Sequence, residues 1–206
     1  SLYLMAIAMT SGYSAQTAGA KLCIDLSSDW GLECIQNLNI RNNNVVLIDY
    51  GAADGGTATD FWRQIINTLI EYKSNIDISL IGNDLYSNDN QSLIKNLSTH
   101  SLGNERISTF MCAGSFYDQL VPSEFIDFGF SATAMHWLNK KVETLTDHTH
   151  VLASNNQIAK NDFQKQAIFD WNQVLEKRSR ELKVGGKLLT VNLSRDSQNR
   201  YLGNNG

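Results

Sequence analysis

Val45-Val46-Leu47-Ile48-Asp49-Tyr50-Gly51-Ala52-Ala53-Asp54-Gly55-Gly56 (residues 45–56) sets four apolar residues before an acid and a run of small residues after it. The apolar burst reads as a short buried strand ending in Asp49. The small residues let a ligand approach the backbone closely. From Thr57 to Lys73, Phe61, Ile65, Leu69 and Tyr72 recur at helical spacing. The stretch is therefore a strand, a glycine-rich turn and a helix. The free N–H groups at that helix start suit a carboxylate, and the strand-end acid suits an ammonium group. An amino-acid moiety carrying both charges fits such a turn.

Outward from this unit the alternation continues. Ile76–Ile81, Ile107–Cys112, Phe125–Phe130 and Lys187–Asn192 read as further strands. Leu85–Leu97 reads as a short helix, and Asn161–Leu182 as a long amphipathic one marked by Phe163, Ala167, Trp171, Val174 and Leu182. Gly185-Gly186 is expected to end that helix, and residues from about Ala15 to Trp30 also look helical. This order implies an α/β fold with a mostly parallel sheet flanked by crossover helices. Such sheets take ligands at the carboxyl ends of the strands, where strand order reverses. The 206 residues suffice for one domain with a full core.

Composition narrows the function classes. Net charge is −4 and charged residues make up 18%. No basic cluster is long enough to track phosphates. The run from Lys177 to Lys183 is preceded by Glu176 and interrupted by Glu181, and reads as a solvated helix face. No nucleic-acid partner is expected, and no membrane span, since no apolar run approaches about 20 residues. The opening apolar residues lack a basic flank and do not read as a signal peptide. Cys23, Cys34 and Cys112 are odd in number and scattered, which argues against a disulfide framework and for a reducing, cytoplasmic setting. His148 and His150 lack an evident third ligand, so no metal is expected.

The glycines at 51, 55 and 56 do not give the G-x-G-x-x-G spacing of dinucleotide sites. The next strand-end acid, Asp84, follows 35 residues after Asp49 rather than about 20. A nicotinamide oxidoreductase is thereby disfavoured, although an acid at Asp84 can still hold two ribose hydroxyls.

Several segments together resemble the salicylate/benzoate/theobromine (SABATH) carboxyl methyltransferases, including their bacterial relatives. They are Gly12-Tyr13-Ser14, Asp49–Gly55, Asn83-Asp84-Leu85 with Asn88-Asp89, Gly114-Ser115-Phe116-Tyr117 with Pro122-Ser123, and Ser131–Leu138 with its His136-Trp137-Leu138 end. Gly185-Gly186-Lys187-Leu188 and Arg200-Tyr201-Leu202-Gly203 complete the series in family order. The resemblance implies a Rossmann-like class I methyltransferase fold and S-adenosylmethionine as cofactor. It also implies a small-molecule carboxylic acid as methyl acceptor, and leaves a homodimer open. It places residues 1–206 as the cofactor-binding half of a longer architecture whose C-terminal helical cap is absent here.

Carried over by position, Asp49 and Gly51 would frame the methionine end of the cofactor. Asp84 would hold the ribose, Leu85 would pack near the adenine, Ser115 would bond its amino edge and Phe116 would cover its ring. Trp137 would donate its indole N–H to the acceptor carboxylate. Tyr13 would position cofactor and acceptor, and His136 would line the acceptor pocket. Without the resemblance, Phe116 reads as core, Trp137 as core or site alike, and Ser115 as a turn cap.

The chain also departs from the family. A lysine before the tyrosine has no counterpart among Ala6 to Thr10, a glutamine position holds Gly19, and an aromatic position holds Thr133. Acceptor identity is therefore open. A cofactor-binding domain without turnover and an N-methyltransferase of a heterocycle are the alternative readings.

Overall fold

A computed structural model describes residues 9, 12–140, 142, 145–148, 151–198 and 200. His150 and the Tyr201–Gly203 part of the last resemblance segment lie outside the described residues. Five strands form one parallel sheet: β1 (Asn44–Tyr50), β2 (Asp77–Asp84), β3 (Ile107–Ala113), β4 (Ile126–Ala132) and β5 (Leu182–Val191). Their spatial order is β3-β2-β1-β4-β5. The order reverses between β1 and β4, which opens a crevice above their carboxyl ends.

The helices are α1 (Tyr13–Gln16), α2 (Ala18–Leu26), α3 (Ser28–Gln36), α4 (Thr59–Tyr72), α5 (Asn90–Asn96), α6 (Thr99–Leu102) and α7 (Gln157–Glu181). β1 is buried from Val45 to Tyr50, as a central parallel strand must be. One face of the sheet packs on α4 through Phe61, Trp62, Ile65, Ile66 and Leu69. Phe61 stacks on Phe130 of β4 with ring centroids 4.0 Å apart. This aromatic contact locks the helix that follows the glycine turn onto the strand across the crevice. Among the described residues, no helix is long and apolar enough to cross a membrane.

Four expectations from the sequence are corrected. The helix expected at Leu85–Leu97 begins only at Asn90, because Asp89 caps it by accepting from Ser92 N–H at 3.1 Å. The N-terminal helix is broken into three, with Gly12 at φ 75° opening α1. Gly185-Gly186 do not end α7. They lie in a bulge within β5, where a Cβ on Gly186 would meet three backbone carbonyl oxygens at 2.9–3.2 Å. Finally, the run from Lys177 to Lys183 is not a wholly solvated face, because Arg178 and Glu181 within it are fully buried.

Candidate active site

The crevice at the switch point is a cavity of 340 Å³, within the roughly 300–1,000 Å³ of small-molecule sites. Four strand ends supply its walls: the turn after β1, Asp84-Leu85 at the end of β2, Gly114–Tyr117 after β3, and Ala132–Ala134 with Trp137–Asn139 at the end of β4. Tyr13 closes one side from α1.

Asp49 is buried at the end of β1, 3% exposed. Trp62 of α4 donates its indole N–H to Asp49 Oδ2 at 2.7 Å. Burial pushes the Asp49 carboxyl up to about 7, the Trp62 bond opposes this, and the nearby Asp84 charge adds to it. Asp84 receives two backbone N–H bonds, from Ala53 and from Leu85, each at 2.7 Å. Burial raises its pKa, and those two bonds hold it down. Its carboxylate thus pins the glycine turn while facing the cavity with further acceptor capacity.

The turn itself is strained into place. Gly51 and Ala53 have φ of 69° and 51°, and Thr133 on the opposite wall has φ 51°. A β-branched residue at positive φ is a steric outlier, and such outliers gather at ligand sites. Asp54 ties the turn to the N-terminal segment, with Oδ2 accepting from Ser14 N–H at 2.9 Å and from Ser14 O–H at 2.8 Å. That bond fixes the position of Tyr13, the residue before Ser14.

On the far wall, Ser115 Oγ accepts from Tyr117 N–H at 3.3 Å, so Ser115 caps its own turn as well as lining the cavity. The Tyr117 hydroxyl donates to the Trp137 carbonyl, joining the loops after β3 and β4. Asp170 of α7, 2% exposed, accepts from Asn139 N–H at 2.9 Å and from Gln166 at 2.7 Å, closing the loop that carries Trp137.

Of the residues singled out from sequence, Tyr13, Asp49, Gly51, Asp84, Leu85, Ser115, Phe116 and Trp137 all line this cavity. His136 does not. It is exposed, with its ring 5.5 Å from that of Trp137. Trp62, Ser14, Asp54 and Asp170 were not assigned roles from sequence. Asp54 stood in plain view in the turn, but its partner is 40 residues away. Among the described residues, no group of three His, Cys, Asp or Glu side chains could hold a metal ion.

A model of the family described as SAM-dependent carboxyl methyltransferase (SAM being S-adenosylmethionine) matches residues 10–205. A methyltransferase of a Fusarium species, LUC1, is 29% identical over 81% of this chain and 44% of its own length. Indole-3-acetate O-methyltransferase 1 of Arabidopsis thaliana is 32% identical over 41% of this chain and 24% of its own length. A solved loganic acid methyltransferase with S-adenosylhomocysteine superposes with a TM-score of 0.77 at 21% identity, covering 93% of this chain and 60% of that one. The last likeness establishes the class I methyltransferase fold. The chain spans less than half the length of the Fusarium protein. With nearly the whole chain inside one family model, and the cavity at the family fold's switch point, the chain belongs to the SAM-dependent carboxyl methyltransferase family.

Proposed function

We propose that this chain holds S-adenosylmethionine in the crevice and presents its methyl group to a carboxylate oxygen of a small organic acid. The observation that carries the reading is one of charge. Asp49 and Asp84 both line the cavity, while none of its described lining residues is Lys, Arg or His. Two acids in a largely apolar pocket call for a cationic ligand, and a sulfonium nucleoside with an ammonium group is one.

When bound, S-adenosylmethionine would supply a methyl group made electrophilic by its positively charged sulfur. The chain's own residues do the rest. Asp49, steadied by Trp62, would meet the ammonium group. Asp84 would accept from the ribose hydroxyls, Ser115 and Phe116 would take the adenine edge and face, and Tyr13 would close over the methionine end. Trp137 would donate to the acceptor carboxylate. A carboxylate of ordinary pKa near 4 is already ionised at neutral pH, so the nucleophile needs no base. His136, outside the cavity, is assigned no proton transfer. Orientation and exclusion of water then carry the rate, and orientation alone supplies roughly 7–11 kcal/mol. The three free cysteines fit a reducing, cytoplasmic setting.

Two variants separate the roles. Asp84→Ala strips the acceptors from two backbone N–H groups and from the sugar, and should weaken S-adenosylhomocysteine binding about a hundredfold in calorimetry. Trp137→Leu should leave that affinity within about threefold and raise the acceptor KM at least tenfold, the scale of one charge-assisted hydrogen bond. Equal losses of both affinities in Trp137→Leu would remove it from the acceptor side.

A cofactor-binding domain without turnover is the second reading. It is favoured by Trp137, 58% exposed, and by Gly19 where the resemblance calls for glutamine. The deciding experiment is calorimetry with S-adenosylmethionine, followed by a methylation assay over small carboxylic acids and nitrogen heterocycles. No heat from folded protein ends the primary reading. Heat without methylation of any panel member leaves the second.

A further inference from the structure

The 115–121 segment, which carries Ser115 and Phe116 into the cavity, takes much of its backbone hydrogen bonding from the side chains of α7. The Arg178 guanidinium donates to the Phe116 carbonyl and, at 2.8 Å, to the Asp118 carbonyl. Glu181 Oε1 accepts from Leu120 N–H at 2.6 Å and Val121 N–H at 3.4 Å. Gln173 donates to the Tyr117 carbonyl at 3.2 Å. Arg178 and Glu181 are themselves joined twice, Nε to Oε2 at 2.8 Å and Nη2 to Oε1 at 2.9 Å, and both are fully buried. Tyr50 of β1 completes the cluster. Its hydroxyl donates to Glu181 Oε2 at 2.7 Å, and its ring lies 4.4 Å beneath the guanidinium carbon.

Buried backbone groups must find partners, and a loop that finds them outside itself takes its shape from the supplier. A buried ion pair is weak evidence for stability as such, since its desolvation offsets its attraction. Four backbone groups of one loop on a single Arg–Glu pair are better accounted for as alignment. We propose that Arg178 and Glu181 are positioning residues for recognition of the cofactor's base. They hold the Phe116 carbonyl and the 118–121 backbone so that Ser115 and Phe116 meet an adenine in one fixed geometry. The inference rests on the assignment of Ser115 and Phe116 to the adenine.

The test is base discrimination. Calorimetry on the full chain compares S-adenosylhomocysteine with S-inosylhomocysteine, in which a carbonyl replaces the 6-amino group. The wild-type chain should prefer the adenine compound at least tenfold, the scale of one well-placed hydrogen bond. Arg178→Lys keeps the charge opposite Glu181 and loses the planar fork to the two carbonyls. It should lose about tenfold in affinity for the adenine compound and change less than about threefold for the inosine compound, so that preference collapses. Gln173→Met removes one bond to the same loop with no buried charge left behind. It should lower the preference in the same direction by a smaller factor, and it carries the test if Arg178→Lys does not fold. Parallel loss of both affinities in the variants overturns the inference and leaves the cofactor reading standing, as does a wild-type chain that binds both compounds alike. Absence of wild-type binding to either compound overturns both.

Discussion

Asp49→Asn should make the ligand-free protein more stable at pH 8 while costing it cofactor affinity. The wild-type carboxyl is buried, and its pKa stands at about 7 against an ordinary 3.8. A group whose folded pKa is raised contributes stability that is complete below the unfolded value. That contribution is lost as pH rises through the folded one. The stability contributed by Asp49 therefore falls between about pH 4 and pH 7. The displacement corresponds to at most about 4 kcal/mol. Asparagine keeps a carbonyl for the Trp62 indole and never ionises, so the variant should lack this decline. Thermal unfolding of both proteins at pH 5 and pH 8 measures it.

Binding has the opposite sign. A cationic ligand needs the carboxylate, so wild-type affinity for S-adenosylmethionine should fall up to tenfold per pH unit below about 7. The variant should show a shallower profile and, at pH 8, an affinity lower by about ten- to a hundredfold, the scale of a hydrogen bond to a charged group. A wild-type profile as flat as the variant's would mean that no cation meets Asp49. A steep wild-type profile beside a shallow variant one makes Asp49 a residue at which stability is given up for function.

The sheet was legible because its strands are short apolar bursts closed by acids or small residues, a pattern that depends on neighbours only. Four of the five lie within a few residues of where that pattern puts them, the fifth starts five residues early at Leu182, and the strand-end acids Asp49 and Asp84 fall at the crevice. What escaped was set by distant partners. In α7 the expected inner face was Phe163, Ala167, Trp171 and Val174. Of these only Val174 is buried, and the other buried positions are Ala159, Asp170, Arg178 and Glu181. The burial of these charges depends on partners that no periodicity reveals: Phe116 is 62 residues from Arg178, and Tyr50 is 131 residues from Glu181. The same holds for Trp62, which the helical spacing of Phe61, Ile65, Leu69 and Tyr72 left out and whose indole N–H serves Asp49. His136 was placed on the acceptor pocket by the resemblance, as Trp137 was, but successive residues in an irregular turn need not share a side. Only Trp137 reaches the cavity.

Gly51→Ala is expected to have the largest effect on binding, and comparison with Gly103→Ala isolates its cause. Both glycines have left-handed backbones, φ 69° and 72°. An alanine in that region costs about 1–2 kcal/mol from its own Cβ. At Gly103 the added methyl meets nothing within 4 Å, so strain is the whole cost. At Gly51 it would stand 2.5 Å from the Ala134 Cβ. That neighbour is fixed directly to backbone and has no rotamer by which to yield. Carbon atoms settle at about 3.5–4.0 Å, so the turn after β1 and the loop after β4 would have to part by more than about 1 Å. Gly51 and Asp84 flank one side of the crevice and Ala134 and Trp137 the other, so the parting opens the proposed cofactor site and misaligns the acceptor donor together. Misplacement by about 1 Å can cost a hundredfold in rate. Gly51→Ala should therefore lose at least about a hundredfold in S-adenosylhomocysteine affinity. Gly103→Ala should bind like wild type, although the melting temperatures of both variants fall. Affinity in Gly51→Ala within about threefold of wild type, against the roughly 2 kcal/mol expected of the clash, would show that this turn does not cradle the ligand.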